Sequence, residues 1–289
     1  MNEGRAARPC RIIAVSNRVA TPGEGDKAAG GLAVGVLSAL RSNGGIWFGW
    51  NGKLTPAETH RPEVEEHGNI RFVGIDLNES DYEGYYNGFS NRVLWPLFHY
   101  LLNFIQYRHS DFDAYLRVNA TFARKLLPLI EDDDIIWVHD YHLIPLASEL
   151  RKAGVVVPIG FFLHVPFPGF DVLQALPDRN YLLRSMCAYD VVGFHIGEPG
   201  RRGEGERQLV RIEQPGDGLV DLVLAQIIAQ RQDVAVGLPG AFEVRQSALD
   251  HHEDGPDRHD AHERQDELVD QGGRFPNFNE TEFHICFLF

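Results

Sequence analysis

The chain has few cysteines and no long apolar run. Its 289 residues include three cysteines, Cys10, Cys187 and Cys286, which are odd in number and widely spaced. This usage indicates neither a disulfide framework nor a zinc cluster. No uninterrupted apolar run reaches the roughly 18 residues of a membrane span, and the N-terminal segment lacks the apolar region of a secretory signal. We therefore expect a soluble cytoplasmic protein with no metal, no other cofactor and no membrane partner.

Positive charge is also scarce. The chain has 27 Lys and Arg residues against 41 Asp and Glu residues, for a formal net charge of −14. This balance argues against nucleic acid or an anionic membrane as a general partner. An anionic small substrate is compatible with it only where a local pocket is cationic. The 44% of hydrophobic residues suffices for a substantial core, and the length fits one large or two modest domains.

The first two thirds of the chain alternates short apolar strands with amphipathic helices. The strand-like stretches begin with "RIIAVSNRV" and end with "YDVVGFH". The helical ones include "GGLAVGVLSALRSN" and "DAYLRVNATFARKLLPLI". Such alternation predicts an α/β fold of the doubly wound type with a parallel sheet.

The last third has a different composition. Residues 197–289 contain no Lys, Trp or Tyr and are rich in Arg, Gln, Asp, Glu and His. Although "GLVDLVLAQIIAQ" has the pattern of a helix, "LDHHEDGPDRHDAHERQDELVDQGG" is too polar for a core-facing stripe. Its His spacings match no established zinc pattern. We predict a solvated, poorly packed polar tail with few long-range contacts.

Four polar or half-polar residues follow an apolar strand in "IIWVHDYHLIPLASEL", residues 135–150. Ligands of open parallel sheets lie at the carboxyl ends of the strands, so "HDYH" predicts the edge of a site. Asp140 suits acceptance of hydrogen bonds from substrate hydroxyls, or a role as a base, and it equally suits the cap of the following helix. His139 and His142 suggest a metal, but their spacing fits neither a helical pair nor a strand-face pair.

A glycine-rich loop follows the first strand in "VSNRVATPGEGDKAAGGLAVG". Gly30 and Gly31 lead into a helix, whose first N–H groups suit a phosphate that glycine allows to approach closely. Arg18, at the end of the strand, suits a second anion through two parallel hydrogen bonds. A mobile surface loop with a glycine-rich helix entry is an equally good interpretation of the same residues.

Aromatic residues concentrate in "YYNGFSNRVLWPLFHY". Tyr85, Tyr86, Trp95 and Tyr100 suit sugar faces and hydrogen bonds with hydroxyls or phosphate. From the residues alone, aromatic packing in a core helix is the favoured interpretation.

His164 follows another apolar strand, in "GFFLHVPFPGF". Its position is consistent both with a satisfied core histidine and with a functional one at a strand's carboxyl end. Asp132, Asp133 and Asp134 precede a strand instead of following one. A solvated turn is therefore favoured over a metal site for these three residues.

Taken together, these stretches resemble the trehalose-6-phosphate synthases, a family of UDP-glucose-dependent retaining glycosyltransferases. The matching blocks occur in family order over residues 11–194 and read "VSNR", "GGLAVG", "WFGW", "YYNGFSNRVLWPLFHY", "YLRVNATFA", "DDDIIWVHDYHLIPLA", "IGFFLHVPFP" and "YDVVGF". The resemblance implies a GT-B architecture of two Rossmann-like domains, with residues 11–196 as the N-terminal, acceptor domain. The implied activity, in trehalose biosynthesis, transfers glucose from UDP-glucose to glucose 6-phosphate. It needs no protein nucleophile.

The resemblance also implies roles for individual residues. Arg18 matches the arginine that contacts the acceptor phosphate, and Tyr86 and Trp95 match its aromatic partners. Gly31, preceded by Gly30, matches the glycine beside the donor diphosphate. Asp140 matches the aspartate that holds acceptor hydroxyls, and His164 matches the histidine that contacts the donor glucose near the reacting centre. Asp140 and His164 are therefore the expected catalytic residues.

The resemblance ends at Phe194. The following "HIGEPGRRGEGERQLV" does not match the family, and the donor domain has no recognisable counterpart. We expect a truncation or an altered reading frame beginning near His195, with a genuine divergent tail over 197–289 as the alternative. The chain is then either an enzyme of this family by ancestry or a catalytically inactive acceptor-binding or regulatory module with an incomplete UDP-glucose site.

Overall fold

The strands of the domain form a single β-sheet. The structure is a computed structural model that describes residues 11–19, 31–56, 61–196 and 206–211. Within these ranges the strands are β1 (Arg11–Arg18), β2 (Gly45–Thr55), β3 (Glu63–His67), β4 (Ile70–Asn78), β5 (Asp134–His139), β6 (Ile159–Leu163), β7 (Val191–Ile196) and β8 (Glu206–Arg211). Their order in the sheet is β3-β4-β2-β1-β5-β6-β7-β8.

The six central strands are parallel, and each edge strand is antiparallel to its neighbour. From β1 the chain moves outward to β2 and β4 on one side, and then to β5, β6 and β7 on the other. This reversal is the switch point of a doubly wound sheet, beside which ligands bind at the carboxyl ends of the strands. The predicted α/β fold with a parallel sheet is confirmed.

Helices connect the strands. The α-helices of the described residues are α1 (Gly31–Asn43), α2 (Glu79–Tyr82), α3 (Trp95–Phe98), α4 (His109–Leu126), α5 (Leu146–Lys152), α6 (Phe170–Leu173) and α7 (Arg179–Met186). A π-helix spans Glu83–Leu94, and 3₁₀ turns span Leu102–Phe104, Leu127–Leu129 and Tyr141–Leu143. The predicted aromatic helix is thus divided between the π-helix and α3. Among the described residues, no helix combines the length and the apolar character that a membrane crossing requires.

Apolar residues cover both faces of the sheet because successive strand residues point to opposite sides. In β1, Ile13 and Val15 belong to the larger buried cluster, which includes residues of α4 and the π-helix. Ile12 and Ala14 belong to a smaller cluster that is completed by residues of α1 such as Leu40. β1 is therefore buried on both faces, as expected of a central parallel strand.

The sequence analysis predicted neither of the two edge strands. β3 reads "EVEEH" and is exposed along its whole length. β8 lies in the segment predicted to make few long-range contacts, yet it pairs with β7 from Val191↔Arg211 to Ile196↔Glu206. An edge strand is held mainly by backbone hydrogen bonds to one neighbour, so polar sequences can form it. The rest of the predicted tail, 197–205 and 212–289, lies outside the described residues.

Asp134 also departs from the predicted solvated turn. Its buried carboxylate accepts hydrogen bonds from Nε and Nη2 of Arg11, each at 2.8 Å, and from the N–H of Glu131 at 2.7 Å. This bidentate pair joins the start of β5 to the start of β1. Asp132 and Asp133 are exposed in a turn, as predicted.

The π-helix lies unusually close to α4 at two glycines. A Cβ added at Gly84 would lie 2.5 Å from Cβ of Ala114, and one added at Gly88 would lie 2.6 Å from Cγ of Asp111. Both distances are far below a normal contact. The absence of a side chain at these positions is what allows the two helices to approach.

Gly88→Ala should therefore destabilise the domain. The added methyl group would force Asp111 or the π-helix to shift, at a cost of about 1–3 kcal/mol in the free energy of unfolding. Urea unfolding followed by circular dichroism measures this change. Asp113→Ala, on the exposed side of α4, is the control and should change the value by less than about 0.5 kcal/mol. Equal stabilities of the two variants would contradict the close approach of the helices.

Candidate functional site

Three of the predicted site residues lie at the same edge of the sheet. Arg18 ends β1, Asp140 directly follows β5, and His164 directly follows β6. β1 pairs in parallel with β5, and β5 pairs in parallel with β6. The carboxyl ends of these strands therefore meet beside the switch point, where doubly wound sheets bind ligands.

The first helix begins at this edge as well. Gly31 is the first residue of α1, which follows the carboxyl end of β1 and leads back to the start of β2. Helix-initial N–H groups lack partners within the helix and carry a partial positive charge, so this position suits an anion. Gly30 lies outside the described residues.

Asp140 has a backbone conformation that few residues other than glycine adopt. Its φ is 73° and its ψ is 162°, a combination that costs about 1–3 kcal/mol. Its N–H donates to the carbonyl of Phe162 at 2.8 Å, so β5 remains bonded to β6 as the chain turns. Its carboxylate accepts hydrogen bonds from the N–H groups of Tyr141, at 3.1 Å, and His164. Asp140 thus caps the 3₁₀ turn and also lies at the predicted site edge.

Burial changes the acidity of this carboxyl group. Desolvation raises the pKa of Asp140 to about 6, against the opposing effects of the Tyr141 and His164 N–H groups and of nearby His99. A carboxyl group in this range changes charge near physiological pH. It is suited to accept a hydrogen bond, or a proton, from a substrate hydroxyl.

Side chains that the sequence analysis did not single out hold the turn after β5. Three consecutive carbonyls of the turn accept hydrogen bonds from buried side chains. The donor–acceptor pairs are Tyr115 with Tyr141, Asn119 with His142 and Tyr189 with Leu143, at 2.6, 3.1 and 2.8 Å. Leaving one such carbonyl without a partner would cost about 1–3 kcal/mol. The signal available in the sequence was a polar residue, Asn119, within the apolar stripe of α4.

A continuous series of ring contacts connects Arg18 to the turn that contains Asp140. The Arg18 guanidinium lies 5.9 Å from the centre of the Trp50 ring, within cation–π range. The Trp50 and Tyr86 rings are 6.4 Å apart, and Tyr86 stacks on His142 at 5.7 Å and 16°. Trp50, which the sequence analysis did not single out, is therefore part of this edge.

Trp95 is connected to Asp140 through His99, on which its ring stacks. The Trp95 side chain is 41% exposed, and its ring stacks on His99 with 4.3 Å between centres. His99 in turn acts electrostatically on Asp140. Tyr85 differs, because it is fully buried and its hydroxyl donates to Asn17 Oδ1 at 2.8 Å. Core packing thus describes Tyr85, whereas Trp95 offers an accessible ring surface.

His139, at the end of β5, and His142, in the turn, are both buried, and burial disfavours their charged forms. Burial lowers the pKa of His142 to about 3 and holds the pKa of His139 well below its ordinary value. The His139 Nδ1 atom lies 3.1 Å from Nε2 of His164, which is half-buried. Among the described residues, no group of three or more His, Cys, Asp or Glu side chains is arranged to hold a metal ion.

The fold and this edge define a Rossmann-like α/β domain of the kind that forms one half of GT-B glycosyltransferases. The family model described as "Glycosyltransferase family 20" matches residues 12–202. The chain belongs to glycosyltransferase family 20.

Members with known names and structures are closely similar over the same region. The trehalose-6-phosphate synthase of Escherichia coli (strain K12) is 53% identical over 184 residues, which are 64% of this chain and 39% of that protein. An alpha,alpha-trehalose-phosphate synthase (UDP-forming) from Burkholderia xenovorans, solved in complex with glucose-6-phosphate, is 45% identical with a TM-score of 0.61, covering 70% of this chain and 47% of that one. An E. coli structure bound with UDP-2-fluoro glucose is 52% identical with a TM-score of 0.59, covering 63% and 39%. The chain thus spans less than half the length of these relatives.

Asp140 should make the stability of the domain depend on pH. Its folded pKa is about 6 and its unfolded pKa is about 3.9, so between these values the folded state retains a proton that the unfolded state releases. The stabilisation is fully present below about pH 4 and is lost as the pH rises through about 6. Relative to Asp140→Asn, the wild-type free energy of unfolding should fall by on the order of 2 kcal/mol from about pH 4 to pH 7.

Urea unfolding of the two proteins across this pH range checks the prediction. The buried His139 and His142 add a pH dependence of the opposite sign, but they do so in both proteins. The difference between the proteins therefore isolates Asp140. A difference that stays constant with pH would show that the Asp140 carboxyl group has an ordinary pKa.

Proposed function

We propose that this chain forms the glucose-6-phosphate-binding part of an α,α-trehalose-phosphate synthase (UDP-forming). The observation that carries the proposal is the series from the Arg18 guanidinium through Trp50 and Tyr86 to the turn of Asp140. A sugar phosphate requires a cation for the phosphate, an aromatic surface for the ring and an acceptor for the hydroxyls. The names and bound ligand of the relatives described above support the same conclusion.

The residues at the edge divide between two substrates under this proposal. Arg18 binds the phosphate of glucose 6-phosphate, Tyr86 and Trp95 contact its sugar, and Asp140 accepts hydrogen bonds from its hydroxyls. His164 and the start of α1 at Gly31, with Gly30 before it, face UDP-glucose. Residues 11–196 accordingly form the acceptor domain.

The proposed reaction transfers glucose from UDP-glucose to glucose 6-phosphate. The bond between the anomeric carbon and the UDP phosphate breaks as the acceptor hydroxyl attacks the same face of the sugar. The departing phosphate oxygen takes the proton of that hydroxyl, so the products are trehalose 6-phosphate and UDP. The protein contributes by positioning the two substrates and by stabilising the charge that develops on the leaving group.

A second function, as an acceptor-binding or regulatory module without turnover, is favoured by the extent of the family match. The match to the family model ends at residue 202, and we expect no complete donor domain in the residues that follow. The residues proposed for glucose 6-phosphate all lie before residue 202. We therefore propose that this chain, by itself, binds the acceptor but has an incomplete site for UDP-glucose.

Arg18→Ala should weaken the binding of glucose 6-phosphate. A charge-assisted hydrogen bond contributes about 1.5–3 kcal/mol, so the dissociation constant should rise about tenfold or more. Isothermal titration calorimetry measures the change. Arg124→Ala is the matched control, because Arg124 is exposed near the end of α4. That helix leads to the start of β5, at the amino ends of the strands and away from the proposed site. Equal affinities of the two variants would exclude Arg18 as the phosphate ligand.

The chain alone should not synthesise trehalose 6-phosphate at a steady rate. Cleavage of the donor builds negative charge on UDP, and the loss of even one preorganised stabilising group costs roughly a hundred-fold in rate or more. The assay mixes the full chain with UDP-glucose and glucose 6-phosphate and follows UDP release. Steady release that is abolished by His164→Ala would show that the chain carries a complete donor site.

A further inference from the structure

A fully buried histidine lies directly behind His164. His139, the last residue of β5, is 0% exposed, and its Nδ1 atom is 3.1 Å from Nε2 of His164. This is a hydrogen-bond distance. The function proposed above gives His164 a contact with a sugar but assigns nothing to His139.

The surroundings leave the His139 ring little freedom. Its centre is 4.1 Å from the centre of the Trp137 ring. Its backbone is in register with Phe162 of β6, whose ring lies 4.8 Å from that of His164. Because pairing of β5 with β6 holds the two imidazoles side by side, the contact between them is built into the sheet.

The contact restricts where the protons of the two rings lie. A neutral imidazole has one N–H donor and one acceptor nitrogen, so either His139 Nδ1–H donates or His164 Nε2–H donates. In the second case the proton of His139 lies on Nε2. That atom is buried and has no hydrogen-bond partner within the ranges that the structure describes.

The first arrangement is the better one. A buried N–H without a partner is rare in native proteins, whereas an acceptor without one is better tolerated. His139 Nδ1 therefore donates and His164 Nε2 accepts. The proton of the His164 ring then lies on its other nitrogen, Nδ1, which becomes the donor of that ring.

The same contact opposes a positive charge on His164. An imidazolium donates from both nitrogens, so a charged His164 would force the His139 proton onto the buried Nε2. Among the described residues, two further titratable groups act on the pair, Asp140 directly and His99 through Asp140. The Asp140 carboxyl group accepts a hydrogen bond from the His164 backbone N–H and favours the charged ring when it is ionised, and His99 acts on Asp140. Below about pH 6 Asp140 is mostly neutral and no longer favours the charged ring, whereas the opposition from His139 remains.

We propose that His139 is a positioning residue that keeps His164 neutral with its proton on Nδ1. The role of this arrangement in substrate binding depends on the function proposed above. His164 presents one N–H donor, at a defined ring atom, to a hydroxyl of the nucleotide sugar. A charged ring at the same place would attract the anionic diphosphate into the position of the sugar.

Nitrogen-15 NMR of the full chain, labelled at histidine, distinguishes the two neutral tautomers and the charged ring. His164→Gln identifies the His164 signals. In the wild type, His164 should be neutral and protonated on Nδ1 at about pH 6. In His139→Leu, which removes the opposing N–H donor, a larger fraction of the His164 ring should be charged at about pH 6 than in the wild type.

His139→Asn provides the matched comparison. Asn and Leu have the same branched shape, but Asn places an amide N–H near the position of His139 Nδ1. Its amide can also rotate and present its oxygen to a charged His164, so the Asn variant should favour the charged ring at least as much as the Leu variant does. Protonation of wild-type His164 on Nε2, or identical His164 titration in the wild type and the Leu variant, would overturn the proposal.

Two further outcomes remain interpretable. If the Leu variant does not fold, the wild-type spectrum still decides the tautomer and with it the proposal. Glucose 6-phosphate binding, measured on the same samples, tests the proposed function separately. The predicted tautomer without binding would refute the function and leave the histidine pair intact, whereas binding with the other tautomer would refute the pair alone.

Discussion

The joint between the carboxyl ends of β5 and β6 is the constraint on which the site depends. At Asp140 the chain takes a φ of 73°, and the N–H of that residue donates across to the carbonyl of Phe162. The Asp140 carboxylate accepts a hydrogen bond from the backbone N–H of His164. A conformation that costs about 1–3 kcal/mol persists only where its surroundings hold it. As a result, Asp140 and His164 cannot change position independently.

The packing of buried polar groups around the joint determines the pKa values of its titratable side chains. The carbonyls of the turn are satisfied by side chains of α4 and by Tyr189, so water is not needed to complete their hydrogen bonding. Desolvation then acts on each titratable group according to its charge. It raises the pKa of Asp140 and lowers the pKa values of His139 and His142. The turn is therefore largely uncharged at the pH values where its exposed counterparts would ionise.

The phosphate side of the edge is built differently. Arg18 is exposed, and its guanidinium is restrained by the Trp50 ring instead of by burial. An exposed guanidinium, with its planar set of N–H donors, suits an anion that arrives from solvent. Under the proposed function, the edge thus pairs an exposed cation for the phosphate with a largely desolvated carboxyl group for the sugar hydroxyls. Both parts lie within the region that matches glycosyltransferase family 20.

The sequence by itself determined the parallel α/β fold and the strand ends on which Arg18, Asp140 and His164 lie. These follow from apolar runs and turn residues, which are local patterns with a defined period. It did not reveal the edge strands β3 and β8, whose pairing depends on a neighbour's backbone and not on their own side chains. Only the tertiary structure decided that Arg11 pairs with Asp134, that Tyr115 holds the carbonyl of Tyr141, and that His139 contacts His164. Each of these contacts joins residues far apart in the chain. The contact depends on how the strands and helices pack, and local sequence periodicity carries no information about that packing.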